Sequence, residues 1–451
     1  MPQITIFWFR RDLRLEDNAG LFAALKDSAP VLPLFIFDRE ILDELNDPQD
    51  ARVEFIHQAI SGMHGQLQEM GAPMEVRYGK PSEIWPELLA EYDVKAVYTN
   101  RDYEPYARNR DSALQALLEE RGIAWRDFKD HVIFDGNEVV KDDGTPYVVF
   151  TPYSRMWKRV LHEKMISTPQ GEISYHFRSF PTEEHFDSFY RGEILPMIGL
   201  DEMGFSPSEI TFPDKEVPRD LIREYDETRN FPAQRGTSRL GIHFRFGTIS
   251  IREKARRAQR LNDTFLTELI WRDFYSMILQ HFPHVAEGPF REKYSFIPWR
   301  NNEEEFAAWK EGRTGYPIVD AGMRELNATG FMHNRVRMIV ASFLTKHLLI
   351  DWRWGEAYFA EKLLDFELAS NNGGWQWAAG SGTDAAPYFR VFNPYSQQKK
   401  FDKNFQYIKK WVPEYQSVSY PEPIVDHKMA RQRCLDTYKA GLAQADAALV
   451  K

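Results

Sequence analysis

The stretch ITIFWFRRDLRLEDN, residues 4–18, begins with an unbroken apolar run that leads into a cluster of arginines and carboxylates. Ile4–Phe9 and Val31–Phe37 are both short apolar runs, which are typical of strands buried on both faces of a sheet. Helical spacing of apolar residues over 52–70 separates the second run from a third at 74–78. Strands that alternate with helices predict right-handed crossovers and a parallel sheet covered on both faces.

This alternation continues to about residue 130 and then stops. We therefore predict an N-terminal α/β domain over residues 1–130, with a parallel, Rossmann-like sheet of five strands. The elements that complete it are helices over 82–92 and 108–121 and strands over 95–99 and 124–134.

The rest of the chain has a different organisation. Residues 165–215 show no sustained period, so 131–215 are assigned to an interdomain linker. Helical periods then predict an all-α domain over residues 216–451. Its predicted helices cover 252–261, 264–281, 303–310, 319–327, 333–349, 354–364 and 426–449.

Charge and tryptophan are unevenly distributed along the chain. The formal net charge is −10, but it is −12 for residues 1–150, −3 for 151–210 and +5 for 211–451. Eight of the 12 Trp residues lie between Trp271 and Trp411. A basic, Trp-rich half is compatible with stacking on nucleic-acid bases, although Trp side chains that fill a helical core would give the same composition.

Composition also argues against several classes of protein. No run approaches the roughly 18 apolar residues of a membrane span, and the N-terminus leads into a strand rather than a signal peptide. Because Cys434 is the only cysteine, neither an internal disulfide nor a cysteine-based zinc site can form. We expect a soluble, cytoplasmic protein with no membrane partner and no metal.

A segment of small residues, GTSRLG at 236–241, precedes an apolar run at 242–249 that predicts a helix. Backbone N–H groups and hydroxyls at a helix start can bind phosphate, and Arg239 can add a charge-assisted hydrogen bond. The alternative is ordinary N-capping by Thr237 or Ser238, which needs no ligand.

Polar side chains form a stripe on the apolar helix TFLTELIWRDFYSMIL. Spacings of three, four and seven residues place Glu268, Trp271, Arg272 and Tyr275 on one face. Polar groups in a buried helix must be paired or must line a cavity. The stripe is therefore either a structural Glu268–Arg272 ion pair or the wall of a site.

The segment DFELASNNGGWQW at 365–377 is the densest in chemical groups. Gly allows close approach of the backbone to a flat ligand, Asn offers a paired donor and acceptor, and Trp offers a π-face. This mixture is untypical of a plain core helix and indicates a ligand site. A metal site built on Asp365 and Glu367 has no spacing signature such as H-E-x-x-H.

Six motifs that follow one another along nearly the whole chain resemble those of the photolyase/cryptochrome flavoprotein family. The resemblance implies an N-terminal antenna domain, a linker and a helical domain that binds FAD. It also implies light-driven electron transfer from reduced FAD to a cyclobutane pyrimidine dimer flipped out of DNA. The motifs are FWFRRDLRLEDN at 7–18, FTPYSRMWK at 150–158, GTSRLG at 236–241, ELIWRDFY at 268–275, TGYPIVDAGMRELNATGFMHNRVRMIVASFL at 314–344 and NNGGWQWAAGSGTDAAPYFRVFNP at 371–394.

Two positions indicate the branch of the family. MHNRVRM at 332–338 resembles photolyases of cyclobutane dimers, whereas (6-4) photolyases carry catalytic His here and the candidate His333 precedes the Asn. Asn371 stands where photolyases place Asn opposite flavin N5, and plant cryptochromes typically have Asp. The resemblance is thus closest to cyclobutane-dimer photolyases, which are carbon–carbon lyases. A blue-light sensory cryptochrome without repair activity is the alternative, and an electron-transfer flavoprotein for small diffusible substrates ranks last.

The resemblance assigns the FAD site residue by residue. Near the pyrophosphate it implies Tyr225, Thr237, Ser238, Arg239, Leu240 and Gly241, and around the isoalloxazine it implies Arg337, Asp365, Phe366, Glu367 and Asn371. A second, antenna chromophore of the deazaflavin or folate type is also implied for some members of the family. Folate-binding relatives have Asn-Glu where Tyr106-Ala107 stands, and the stretch at 102–106 looks closer to deazaflavin-binding relatives.

The resemblance also assigns residues to DNA and to electron transfer. The implied partner is DNA that contains pyrimidine dimers, bound by a monomer in the cytoplasm or on the bacterial nucleoid. Glu268 and Asn334 would bond the dimer carbonyls, Met338 would contact its edge, and Trp271 and Trp377 would stack on it. Arg229, Arg272, Arg335 and Gln397 match DNA contacts, and Trp375, Trp352 and Trp299 match a chain that carries electrons inward from the surface.

Overall fold

A computed structural model describes residues 3–169 and 171–449. Contacts divide the chain into two compact units. The first takes the described residues of Met1–Glu138, Trp157–Lys215 and Leu240–Arg260, and the second those of Val139–Met156, Glu216–Arg239 and Leu261–Lys451. Part of the predicted linker therefore packs with the second unit, and part of the predicted helical domain packs with the first.

The first unit is built on a five-stranded sheet in which every paired strand is parallel to its neighbour. The order β3-β2-β1-β4-β5 reverses direction at β1, as in doubly wound folds. Both β1 and β2 are buried along their whole length, because helices cover both faces. The strands are β1 (Ile4–Phe9), β2 (Val31–Asp38), β3 (Glu75–Gly79), β4 (Val94–Asn100) and β5 (Ala124–Phe128).

Local signals in the sequence account for the helices between these strands. The Asn18 side chain accepts from the Leu21 N–H and so caps the first helix. Pro81 and Pro105 stand in the first turns of two others, where a missing N–H costs nothing. These helices are α1 (Ala19–Leu25), α2 (Arg39–Leu42), α3 (Ala51–Glu69), α4 (Pro81–Glu91) and α5 (Pro105–Glu120).

Residues 165–215 contain more structure than the sequence predicted. Strands β6 (Met165–Thr168) and β7 (Gly171–Ser174) form an antiparallel pair, and three short 3₁₀ helices follow. The prediction of an irregular segment was wrong here because strands of four residues are too short to show a period. Buried Phe177 and Phe189 hold this segment within the first unit.

The regular elements in the rest of the described chain are helices. α9 and α10 pack with the first unit, and those from α11 onward pack with the second. They are α6 (Phe150–Glu163), α7 (Arg219–Arg223), α8 (Tyr225–Thr228), α9 (Gly241–Phe246), α10 (Ile251–Leu261), α11 (Asp263–His281), α12 (Glu303–Lys310), α13 (Pro317–Thr329), α14 (Asn334–Ser342), α15 (Trp352–Lys362), α16 (Leu368–Ala379), α17 (Pro394–Phe401), α18 (Gln406–Trp411) and α19 (His427–Leu449).

Two predictions in this part of the chain need correction. The run at 242–249 is helical only to Phe246, because Gly247 has φ +63° and a Cβ there would collide with the backbone of Arg11. The single helix predicted over 333–349 is α14 followed by a π-helix, Phe343–Leu348. Residues 368–379 form helix α16.

The fold class predicted from the sequence is confirmed: an α/β domain with a parallel five-stranded sheet is followed by a largely helical region. No helix among the described residues is both long enough and apolar enough to cross a membrane.

Candidate functional site

Three helices that carry sequence motifs meet in the second unit. Helix α16 packs against α11, α14 and α15. Gly373 allows the close approach to α11, because a Cβ at this position would collide with the ring of Tyr275. The tertiary structure thus brings the polar stripe of α11 next to the Asn-, Gly- and Trp-rich segment of α16.

Asn371 on α16 is held by α15. Its Nδ2 donates to the Glu356 backbone oxygen at 3.1 Å and to Glu356 Oε1 at 2.8 Å. These two bonds use the donor side of the amide, and Oδ1 is its acceptor side. Burial raises the pKa of the Glu356 carboxyl, and the hydrogen bond from Asn371 opposes that rise. Sequence reasoning missed Glu356, since it lies in the preceding helix and in none of the six motifs.

Arg337 and Asp365, which the family resemblance places around the isoalloxazine, form an ion pair. Arg337 Nη2 lies 3.1 and 3.0 Å from the two carboxylate oxygens of Asp365. Arg337 Nε also donates to the Met332 backbone oxygen at 2.7 Å. The guanidinium is therefore fixed from two directions, and it lies near the ring of Phe331, at 5.8 Å.

The two charged side chains of the α11 stripe, Glu268 and Arg272, form ion pairs with residues on other segments. Arg272 Nη2 donates to Glu367 Oε1 at 2.9 Å, and Glu268 forms an ion pair with Arg229. The two members of the Glu268–Arg272 pair considered from spacing therefore each have an ionic partner from elsewhere in the fold. Arg229 and Arg272, two of the three arginines expected at DNA, thus lie beside carboxylates of the site.

The GTSRLG segment forms no ordinary helix cap. Leu240, rather than Thr237 or Ser238, is the N-cap residue of α9, and its side chain makes no capping bond. The alternative of N-capping by these hydroxyls is therefore wrong. Arg239 adopts φ +54°, in the left-handed region that favours glycine.

Residues on either side of this segment lie close to it within the second unit. The Arg239 guanidinium lies over the Phe331 ring at 4.3 Å, so Arg239 and Arg337 share one aromatic neighbour. A Cβ on Gly236 would meet Thr228 at 2.7 Å, which places the segment against α8. Tyr225 on α8 packs edge-on against Phe265, and burial raises the pKa of its phenol. Leu240 and Gly241 belong to the first unit.

The residues expected at a DNA lesion lie at the start of α14 and in its surroundings. Asn334 is exposed as the first residue of α14, after the N-cap His333. Arg335 Nη2 donates to Asn230 Oδ1 at 2.6 Å, and its guanidinium lies over Phe401 at 4.4 Å. Arg335 Nη1 also contacts the Met338 sulfur at 3.5 Å. Gln397 is half-buried on α17.

The two tryptophans expected in the lesion pocket each pack against a phenylalanine. Trp271 stacks on Phe150, with ring centroids 3.5 Å apart and an interplanar angle of 3°. Trp377 lies 6.4 Å from Phe392 in a tilted arrangement. Both indoles are only half-buried, so part of each surface is open to solvent.

The three tryptophans expected to transfer electrons share one hydrophobic core. Trp375 and Trp352 are buried in it, and Trp299 packs against it from a partly exposed position. Gly355 makes room for Trp375, because a Cβ there would collide with the indole. Trp299 continues edge-on to Tyr438, with centroids 5.9 Å apart.

A second group of charged side chains lies in the first unit, at the carboxyl ends of β1, β2 and β4. Tyr106 donates to Asp38 at 2.5 Å and to Glu40 at 3.0 Å. Asp102 lies 3.0 Å from Arg11. Burial raises the pKa of Asp102, but the guanidinium groups of Arg11 and Arg245 outweigh it and hold that pKa below its ordinary value. In doubly wound sheets, ligands bind in the crevice at this edge, where the strand order reverses.

Two family models match the chain. One, described as DNA photolyase, matches residues 5–170, and the other, described as the FAD binding domain of DNA photolyase, matches residues 265–419. A deoxyribodipyrimidine photo-lyase from Synechococcus sp. is 37% identical, over 98% of this chain and 98% of that protein. The chain belongs to the DNA photolyase family.

Other photolyases show the same extent of similarity. The Escherichia coli deoxyribodipyrimidine photo-lyase is 38% identical, over 96% of this chain and 98% of that protein. Among solved structures, a class III photolyase from Agrobacterium tumefaciens is 32% identical with a TM-score of 0.83, over 98% of both chains. A photolyase from Sulfolobus tokodaii, solved with two FAD molecules, is 34% identical with a TM-score of 0.80, over 97% of this chain and 99% of that one. The family resemblance read from the motifs is confirmed.

The photolyase-family chain has an FAD-binding domain, and the side chains described above fit this cofactor. Arg239 and Arg337 offer guanidinium donors to anionic and carbonyl oxygens. Asn371 offers its amide oxygen Oδ1 as an acceptor, since its bonds to Glu356 use Nδ2. The surface of α16 is open above Gly374, where a Cβ would meet nothing within 4 Å. Among the described residues, no group of three or more His, Cys, Asp or Glu side chains is arranged to hold a metal ion.

Proposed function

We propose that this chain is a deoxyribodipyrimidine photo-lyase that splits cyclobutane pyrimidine dimers in DNA under blue or near-UV light. The observation that carries the proposal is that α16 packs against both α11 and α14, in a chain that matches curated photo-lyases over 96% or more of its length. Bound FAD, when reduced and excited by light, supplies the electron that splits the dimer.

The side chains that would hold FAD form two groups. Tyr225, Thr237, Ser238, Arg239, Leu240 and Gly241 would hold its phosphate side, and Arg337, Asp365, Phe366, Glu367 and Asn371 its flavin side. The Arg337–Asp365 pair supports this role because Asp365 orients the guanidinium and keeps a charge-assisted donor in place. Asn371 would accept a hydrogen bond at Oδ1, because both of its observed donor contacts go to Glu356.

The lesion would bind beside these residues. Glu268 and Asn334 would hydrogen-bond the dimer carbonyls, where negative charge develops after electron transfer, and Met338 would contact its edge. Trp271 and Trp377 would stack on the dimer, and their half-buried indoles support this role. A dimer pairs weakly with the opposite strand, which lowers the cost of flipping it out of the duplex.

Three arginines and one glutamine around this site would bind the DNA backbone. Arg229, Arg272, Arg335 and Gln397 are the proposed contacts, and exposed Lys399 and Lys400 on α17 extend the basic surface beside Gln397. We also propose that the protein acts as a monomer in the cytoplasm and on nucleoid DNA. Sedimentation with and without DNA would test the monomer.

Two further roles complete the proposal. Trp375, Trp352 and Trp299 would carry electrons inward from the surface, and their common hydrophobic core supports this. A second chromophore, of the deazaflavin or folate type, would bind at the carboxyl edge of the sheet near Tyr106. The reversal of strand order at β1 supports that location.

One experiment tests the function. Purified protein with photoreduced FAD is mixed with an oligonucleotide that contains one thymine cyclobutane dimer, and thymine absorbance is followed under blue light. We expect absorbance to recover under light and to stay constant in the dark. If the flavin is demonstrably reduced and no absorbance returns, the repair function is refuted and a sensory function is favoured.

A further inference from the structure

Phe150 makes the closest ring contact with a proposed lesion-binding residue. Its ring lies parallel to the Trp271 indole at a centroid distance of 3.5 Å. Phe150 is 8% exposed, whereas Trp271 is half-buried. Phe150 therefore covers one face of the indole. The Tyr275 ring lies 5.5 Å from the same indole at an interplanar angle of 30°, and part of Trp271 remains exposed.

Phe150 is itself held rigidly in the second unit. Its ring packs edge-on against Phe274 at 5.7 Å, and Phe274 is fully buried. Its backbone N–H donates to Asp384 Oδ2 at 3.2 Å. Tyr153, three residues further along α6, packs against the same Phe274 at 5.2 Å. The FTPY segment was predicted to belong to a linker, but two of its side chains, Phe150 and Tyr153, pack against Phe274 of α11.

These contacts argue against Phe150 as a side chain that moves aside when a ligand binds. To release the covered face of Trp271 to a ligand, Phe150 would have to leave Phe274 and Asp384 and expose an aromatic ring to water. Burial of such a ring is worth several times the free energy of one aromatic contact. The contacts favour permanent support of the indole.

We propose that Phe150 is a positioning residue that fixes the orientation of the Trp271 indole, so that the exposed part of the indole meets the flipped-out pyrimidine dimer. This inference rests on the proposed function. A stacking surface that is already ordered in the free protein loses less conformational entropy on binding. Phe150 thereby increases affinity for damaged DNA through Trp271, without touching the DNA itself.

The test compares affinities of FAD-loaded protein in the dark for an oligonucleotide with one thymine dimer and for the same undamaged oligonucleotide. Phe150→Leu, which removes the flat ring, should weaken dimer binding about 3- to 10-fold, the range expected for one aromatic pair. The affinity of Phe150→Leu for undamaged DNA should stay within about twofold of the wild-type affinity. Phe150→Tyr keeps the ring and should restore dimer affinity. Phe306→Leu, which removes a ring stacked on Trp309 elsewhere in the unit, is the matched control and should have no such effect.

A double-mutant cycle decides whether Phe150 acts through Trp271. In a Trp271→Leu background, Phe150→Leu should cause no further loss of dimer affinity. The proposal is overturned if the loss persists in that background, if Phe150→Leu binds the dimer as wild type does, or if it weakens damaged and undamaged DNA equally. If Phe150→Leu does not fold, Phe150→Met, which fills the same space without a flat ring, replaces it throughout.

The wild-type protein separates this inference from the function on which it rests. If wild type shows no preference for the dimer, the proposed function fails and the positioning role fails with it. If wild type prefers the dimer and Phe150→Leu does so equally, only the positioning role is refuted.

Discussion

Asn371 Nδ2 donates to both the backbone oxygen and the carboxylate of Glu356, at 3.1 and 2.8 Å. The two residues belong to consecutive helices, α16 and α15, and lie 15 residues apart in the sequence. Their bond fixes the orientation of an amide that the family resemblance places at flavin N5. The carboxyl that does so is largely removed from water, which makes its protonation part of the stability of the site.

Replacement of Glu356 by Gln should change how stability depends on pH. Burial raises the pKa of Glu356 above its ordinary 4.5. The stability linked to its proton is therefore complete below pH 4.5 and is lost as pH rises through the folded-state pKa. Gln does not titrate, so the melting temperature of Glu356→Gln minus that of wild type should increase as pH rises above 4.5. Thermal unfolding across this range measures the difference, with Glu361→Gln, an exposed change on α15, as the control. A constant difference across this range would contradict the prediction.

Two adjacent glycines of α16 should respond in opposite ways to replacement by Ala. A Cβ at Gly373 would collide with the Tyr275 ring, so Gly373→Ala should destabilise the protein by roughly 1–3 kcal/mol. A Cβ at Gly374 meets nothing within 4 Å, and Gly374→Ala should stabilise the helix by roughly 0.5–1 kcal/mol. Denaturant unfolding of the two variants checks the sign of each change. Equal effects would mean that α16 does not approach α11 as closely as described.

Replacing Glu268 and replacing Arg229, the two members of one ion pair, should affect different activities: the first repair, the second DNA binding. Both side chains are about one-third exposed, so loss of the pair should cost less than about 1 kcal/mol of stability. Glu268→Ala should lower the repair yield at saturating DNA with only a modest loss of affinity. Arg229→Gln should weaken damaged and undamaged DNA alike and reduce the salt dependence of binding, by about one unit of slope. The assignment of roles fails if Glu268→Ala changes affinity alone, or if Arg229→Gln leaves the salt dependence intact.

Trp375→Phe should slow photoreduction of the bound flavin and leave repair by chemically reduced protein nearly unchanged. The reason is that a phenyl ring is much harder to oxidise than the indole it replaces. Transient absorption after a blue flash gives the rate. Trp309→Phe is the matched control, because Trp309 is equally buried and packs edge-on against Trp375 at 6.1 Å without belonging to the proposed chain. If Trp375→Phe also loses repair by reduced protein, its assigned role is refuted.

Much of the fold could be predicted from local sequence. Apolar runs identify β1 and β2 to within one residue, and prolines and glycines mark several helix ends. Where prediction failed, no local signal exists: β6 and β7 are too short to have a period, and the π-helix after α14 follows the same apolar pattern as an α-helix.

The candidate site divides in the same way. The sequence by itself determined the family, the fold class and the motif residues, because these depend on the order and spacing of residues along one chain. Only the tertiary structure decided that Asn371 bonds Glu356, that Glu268 pairs with Arg229, and that Phe150 supports Trp271. These partners lie 15, 39 and 121 residues apart. Hydrogen bonds, ion pairs and ring contacts act over a few ångströms in space, so their partners are set by how the helices pack.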